Sequence, residues 1–224
     1  MAEPRLPTGI RGLDELLGGG IDTDGLTELY GEGGSGKTLI CLHLAVRVAL
    51  AGRWVIYIDT EGVSVARLEA ISAGRLPEVL GRLLLSSPPD LAQQRKAVAT
   101  ACQLVRDGRR PIGLVVLDSA TLHYRLTVAG ENEDEGRQSL AVQLADLLTT
   151  SIHAGVPVVF TNQVWRSVKD GTLEPLGGSF VNHAAKTILR LERLSGGRRR
   201  AVLVKHRSRA EGSAEFRITA TGLE

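Results

Sequence analysis

A chain of 224 residues with 43% hydrophobic content is long enough to bury one sizeable core and lies within the usual span of a single domain. Its 27 basic and 25 acidic side chains leave a formal charge of only +2, so bulk electrostatics advertise no polyanionic partner, and any nucleic-acid contact must come from local patches. Two cysteines, Cys41 and Cys102, sit in apolar stretches with no second cysteine or histidine at ligand spacing, so neither a disulfide framework nor a zinc site is suggested.

In chain order, the segment from Met1 to Pro7 carries no apolar signal core, and no later run approaches the ~18 apolar residues of a membrane span. The expected setting is the reducing cytoplasm. Apolar β-rich runs then recur at Leu26 to Tyr30, Trp54 to Ile58, Leu83 to Ser86, Leu114 to Leu117 and Val156 to Thr161, with helical stretches between them. Such alternation predicts an α/β fold, a mostly parallel sheet flanked by helices. The helix from Thr38 to Ala51 is apolar nearly all round, which predicts burial. Val98, Ala101, Cys102 and Val105 form one helical stripe, and Leu140, Leu144, Leu147 and Leu148 form another. Near the C-terminus, Thr187 to Leu194, Arg199 to Val204 and Ala214 to Thr219 read as strands joined by the Gly196-Gly197 turn and a second loop, an antiparallel extension of the sheet. No repeat or linker divides the chain, so residues 1–224 are expected to form one domain.

The most specific signal is Gly31, Glu32, Gly33, Gly34, Ser35, Gly36, Lys37 and Thr38, which follow a predicted strand and open a predicted helix. Glycines let the backbone turn its N–H groups around phosphates, and the helix N-terminus adds a favourable field. This pattern predicts an ATP site in which Lys37 meets the β and γ phosphates and the Thr38 hydroxyl holds Mg2+. Asp118 ends an apolar strand, where a nucleotide-bound magnesium needs an acidic partner, usually through water.

Two further strand ends supply candidates at the same sheet edge. After Ile58, Glu61 suits a base that orients the attacking water, while Asp59 competes for that role or bonds the phosphate loop or water. After Phe160, Gln163 offers an uncharged amide to a γ-phosphate, or simply forms a turn.

Taken together, these residues resemble the RecA/RadA recombinase family. The match covers nearly the whole chain: the run from Pro7 to Gly20, the phosphate loop, Tyr57 to Gly62, Leu114 to Ser119, Thr161 to Val164 and Leu176 with its two following glycines come in the family's order. The resemblance implies a RecA-like P-loop ATPase core, with Glu61 as catalytic glutamate, Gln163 as the switch linking γ-phosphate to DNA, and Asp118 on the magnesium side. It further implies Arg67 near the adenine and His183 as a γ-phosphate sensor, although a structural histidine reads equally well. Lys205 and Arg207 resemble a basic pair inserted across a subunit interface toward the neighbour's phosphate; the alternative is an exposed basic strand end. The implied function is that of a weakly hydrolysing accessory ATPase of homologous recombination and DNA repair. Its implied partners are single-stranded or branched DNA and a RadA-type recombinase or Holliday-junction resolvase.

Departures from the family pattern set further expectations. Few residues precede Pro7, so no separate N-terminal DNA-binding domain is expected, and this N-terminus lacks the phenylalanine of the family's polymerisation signal. Monomers or small oligomers are therefore expected. DNA contacts are assigned to Trp165, Arg166 and Lys169 together with Arg198, Arg199 and Arg200, away from the acidic run at Glu131 to Glu135. Trp165 packing into the core and a solvated arginine turn are the bland alternatives. A KaiC-like signalling ATPase, acting on a protein partner without DNA, is the competing class; it fits the opening motif and the Lys205 and Arg207 pair.

Overall fold

The structure, a computed structural model, describes residues 5–128, 133–166 and 173–224. From the N-terminus, β1 (Arg5–Leu6) and α1 (Arg11–Leu17) lead through β2 (Ile21–Asp22) to β3 (Leu26–Gly31), α2 (Lys37–Leu50) and β4 (Trp54–Asp59). Next come α3 (Val65–Ser72), α4 (Leu76–Leu80), β5 (Leu83–Ser86), α5 (Leu91–Asp107) and β6 (Ile112–Asp118). These are followed by α6 (Leu122–Val128), α7 (Glu133–Ala154), β7 (Val158–Asn162) and the short β8 (Val164–Arg166) and β9 (Leu173–Pro175). The chain closes with α8 (Ser179–Ala184), β10 (Thr187–Arg193), β11 (Arg198–Lys205), β12 (Gly212–Thr219) and β13 (Gly222–Leu223).

Nine strands form the main sheet in the order β13-β12-β11-β10-β3-β7-β6-β4-β5. The run from β10 to β5 is parallel, and β10 to β13 pair antiparallel. The antiparallel extension expected from the C-terminal pattern is therefore present. Its hairpin turns at Gly196 and Gly197, both at positive φ.

Every residue of β3 and β6 is buried, as parallel strands covered on both faces require. On one face Leu29, Val55, Tyr57, Leu114, Val116 and Val159 meet the apolar residues of α2. On the other, Leu26, Ile58, Val115, Leu117 and Phe160 meet the Val98 stripe of α5 and the Leu140 stripe of α7. Strand β7 begins at Val158 and not at the expected Val156. The intervening Pro157 has no N–H for a ladder bond, and its carbonyl accepts from Val115 N at 3.1 Å instead.

Candidate active site

The carboxyl ends of β3, β4, β6 and β7 share one edge, where open α/β sheets bind ligands. The phosphate loop leaves β3 there. Gly31 has φ +152°, and a Cβ at this position would lie 2.3 Å from the Leu191 carbonyl oxygen; only glycine lets β3 and β10 approach so closely. Gly36, at φ +105°, is the N-cap of α2 and aims that helix's free N–H groups into the loop. Lys37 is only 8% exposed, and its Nζ donates to the carbonyls of Gly31 (2.8 Å) and Glu32 (3.1 Å). Burial lowers its pKa, against the raising effect of the Glu61 and Asp118 charges.

Asp118 is held by hydroxyls. Its carboxylate accepts from Tyr57 Oη at 2.8 Å and Thr161 Oγ1 at 2.5 Å, and the Thr38 hydroxyl lies near it. Burial raises its pKa, while these three hydroxyls and the charge of Glu61 act as smaller causes, the hydroxyls lowering it and Glu61 raising it. The register of the parallel strands makes this arrangement: Asp59 lies opposite Asp118 across β4 and β6, and β7 lies on the other side of β6.

Glu61 is exposed at the mouth of the site and accepts from Gln163 Nε2 at 2.8 Å. The two candidates read separately from two strand ends are thus in direct contact. Asp59 takes a different part from its neighbour. Its buried carboxylate accepts from the backbone N–H groups of Glu61 (3.1 Å), Gly62 (2.8 Å) and Val63 (2.7 Å). It shapes the segment that presents Glu61, and the bond goes to its own loop rather than to the phosphate loop. Thr60 Oγ1 ties that segment to β6 through Ser119, accepting from its N–H at 2.8 Å and donating to its carbonyl at 3.0 Å.

A cavity of about 330 Å³ opens beside the loop, lined by Gly33, Lys37, Thr38, Glu61, Arg67 and Ile218 among others. Arg67 donates to the Ala220 carbonyl at 3.1 Å, from 153 positions away. Arg67 and Ile218 both belong to the lining of this cavity. A larger cavity of about 780 Å³, lined by Arg95, Lys96, Glu135 and Gln138, contains no phosphate-loop residue.

The remaining assignments separate. His183 is exposed on α8. Lys205 Nζ donates to the carbonyls of Asn182 (2.7 Å) and Ala185 (2.8 Å), so it docks on the end of that same helix. Arg207 pairs with Asp24 and Asp22 of its own chain. Arg198 and Arg200 pair with Glu215, and Arg200 also with Glu192. Arg199 instead donates to the Gly34 carbonyl of the phosphate loop at 3.1 Å. Trp165 is 45% exposed and opposite Glu174 in the β8–β9 ladder, not in the core. Arg166 ends β8, and Lys169 and Glu131 lie outside the described residues.

The oxygen donors fit magnesium. The Thr38 hydroxyl and the Asp118 carboxylate lie near each other and are hard oxygen donors of the kind magnesium takes. That suits an ion which keeps waters and substrate phosphates as its other ligands. Tyr57, Thr161 and Ile218 complete the site without having been expected from the sequence. Only strand order brings them to it.

A mostly parallel sheet with a phosphate loop after its central strand, an amide just past the strand beside it and a carboxylate at the end of the next define a RecA-like P-loop ATPase core. The Rad51 family model matches residues 4–224, and the chain belongs to that family. It is 41% identical over 227 residues to the DNA repair and recombination protein RadB of Methanoculleus marisnigri, spanning 100% of this chain and 99% of that protein. It is 38% identical to the RadB of Methanococcoides burtonii over 94% and 93% of the two chains. Among solved structures, the crystal structure of the RadB recombinase is similar, with a TM-score of 0.83 and 37% identity over 98% of both chains. Among the described residues, no helix is long and apolar enough to cross a membrane.

Proposed function

We propose that residues 1–224 form one RecA-like ATPase domain that hydrolyses ATP slowly and couples its nucleotide state to DNA in recombination and repair. The names of the RadB relatives support the setting. The observation that carries the coupling is the hydrogen bond between Glu61 and Gln163, because Gln163 opens the segment that bears Trp165.

In this reading the backbone of Gly33, Gly34 and Gly36 cradles the phosphates, and Lys37 exchanges its two loop carbonyls for phosphate oxygens. Thr38 and Asp118 would hold Mg2+, which supplies charge neutralisation on the phosphates. Glu61 accepts the proton of the attacking water. Arg67 seats the base. The amide of Gln163 leaves Glu61 for the γ-phosphate oxygen, so the β8–β9 segment registers whether ATP or ADP is bound. His183 and Lys205 share the end of α8 and belong to the same response; Arg207 closes a subunit contact when assembly occurs. Monomers or small oligomers form, and a RadA-type recombinase or Holliday-junction resolvase is the protein partner.

The deciding experiment titrates single-stranded, duplex and branched DNA with the full chain in ADP and in a slowly hydrolysed ATP analogue. Tighter binding with the analogue is expected. Binding to none of the three DNAs in either state would overturn the DNA role in favour of an ATPase that signals to a protein.

A further inference from the structure

Glu28 lies in the middle of the central strand β3 and is 0% exposed, surrounded by Leu26, Tyr30 and their apolar neighbours. A carboxyl group at such a position is costly unless its hydrogen bonds are used. Oε1 accepts from Asn162 Nδ2 at 2.8 Å. The same amide nitrogen donates to the Leu176 carbonyl at 2.9 Å, and Asn162 Oδ1 accepts from Thr121 Oγ1 at 2.9 Å. Thr121 Oγ1 in turn accepts from the backbone N–H of Gln163 at 3.1 Å. The backbone N–H of Leu176 donates to the Gln163 carbonyl at 2.9 Å.

Both backbone polar groups of Gln163 are therefore fixed, one by Thr121 and one by Leu176, and Asn162 binds both of those residues. Only the side chain of Gln163 faces the site. Neither Glu28 nor Asn162 lines the cavity beside the phosphate loop, so the chemistry described above gives no reason for a buried carboxyl at position 28. Holding the Asn162 amide does. With Glu28 as acceptor, one amide proton has a fixed direction and the other is left for Leu176; without it the amide is free to turn and both ends of the 163–176 segment lose their anchor.

We infer that Glu28, through Asn162 and Thr121, is a positioning residue that sets Gln163 and the turn at Leu176 for the nucleotide response; this rests on the reading of Gln163 as the γ-phosphate sensor. The relay joins the central strand to both ends of the candidate DNA-contacting segment, and it touches no nucleotide.

The test uses the full chain carrying Glu28→Met, which has similar length and no acceptor, and Glu28→Gln, which keeps a carbonyl oxygen for Asn162. Hydrogen exchange read by mass spectrometry over residues 160–178, and single-stranded DNA affinity in ADP and in the ATP analogue, are measured for each. In Glu28→Met, exchange is expected to rise about tenfold and the ATP-to-ADP ratio of DNA affinities to fall toward one, with ATP affinity held within about twofold. Glu28→Gln is expected to restore both readouts. Parental behaviour of Glu28→Met overturns the relay, as does a Glu28→Gln variant as damaged as Glu28→Met. If Glu28→Met does not fold, Thr121→Val removes only the hydroxyl that holds Gln163 N, with the same expected and overturning results. Gln163→Ala run alongside separates the two ideas: retention of the parental ATP-to-ADP ratio in that variant sinks the sensor reading, whereas parental exchange over residues 160–178 in the Glu28 and Thr121 variants sinks the relay whatever Gln163→Ala does.

Discussion

Glu61 Oε1 accepts a 2.8 Å hydrogen bond from Gln163 Nε2 across 102 positions of sequence. An amide nitrogen is a neutral hydrogen-bond partner, so the bond is cheap to exchange for one to a phosphate. The contact makes the state of one group legible to the other. A lysine in place of Gln163 would bind the carboxylate as an ion pair and remove that exchange.

Glu61→Gln is expected to lower turnover by about a hundredfold or more with little change in ATP affinity, since general-base help is worth ~10²–10⁴. Asp59→Asn acts elsewhere. It weakens acceptance from three backbone N–H groups, so a lower melting temperature with a smaller loss of turnover is expected. A larger catalytic loss in Asp59→Asn than in Glu61→Gln would exchange the two roles.

Lys37→Ala is expected to abolish productive ATP binding, because the ammonium is the main countercharge inside the loop. Isothermal titration with ATP and Mg2+ reads this directly. Unchanged affinity would remove Lys37 from the site.

Arg67→Ala removes the bond to Ala220 and part of the cavity lining it shares with Ile218. Nucleotide affinity is expected to fall about fivefold to tenfold, the worth of a hydrogen bond and partial burial, while turnover at saturation is unchanged. A loss in kcat at unchanged KM would place Arg67 with the chemistry and not with the base.

The phosphate loop, Asp118 and Glu61 are legible in the sequence as candidates because each is a local pattern: a spacing of glycines, or an apolar strand ending in a carboxylate. Tyr57 and Thr161 are not, because each belongs to a different strand, and only the order β7-β6-β4 brings their hydroxyls to Asp118. The same limit hid Ile218, whose strand is hydrogen-bonded into the far antiparallel edge. Glu28 lies within the run Leu26 to Tyr30 and carries no local signal; its burial follows from the central place of β3, which no local pattern states. The arginine run was read as a unit, yet in an extended strand alternate residues point to opposite faces, so Arg199 turns to Gly34 while Arg198 and Arg200 turn to Glu215.

Burial pushes the Glu28 carboxyl up to about 7 from 4.5, against the lowering effects of the Asn162 bond and the Lys205 charge. Within that window the folded state keeps a proton that the unfolded chain has lost. Stability from this group is therefore full below pH 4.5, falls as pH rises, and levels off above about pH 7. Glu28→Gln is expected to remove a slope of at most ~1.4 kcal/mol per pH unit from urea-unfolding free energies. Asp118, His43 and His206 titrate in both proteins, so the difference isolates Glu28. Parallel curves for parent and variant would show that Glu28 ionises as freely as in the unfolded chain.

Trp165 presents an exposed ring two residues after Gln163, and base stacking on such a ring is worth ~1–3 kcal/mol in single-strand binders. Trp165→Ala is expected to weaken single-stranded DNA binding about tenfold without altering the slope of log affinity against log salt, because no phosphate contact is removed. The three arginines divide. Arg198 and Arg200 are paired with carboxylates, which already supply part of their countercharge, so replacing both by Ala is expected to flatten the slope by less than about one unit apiece. Arg199 binds the Gly34 carbonyl, so Arg199→Ala is expected to change nucleotide affinity before it changes DNA affinity. Fluorescence anisotropy across salt, in ADP and in the ATP analogue, measures all three variants. Parental binding by Trp165→Ala at every salt concentration would move the DNA surface away from β8, and with it the link through Gln163 to the nucleotide.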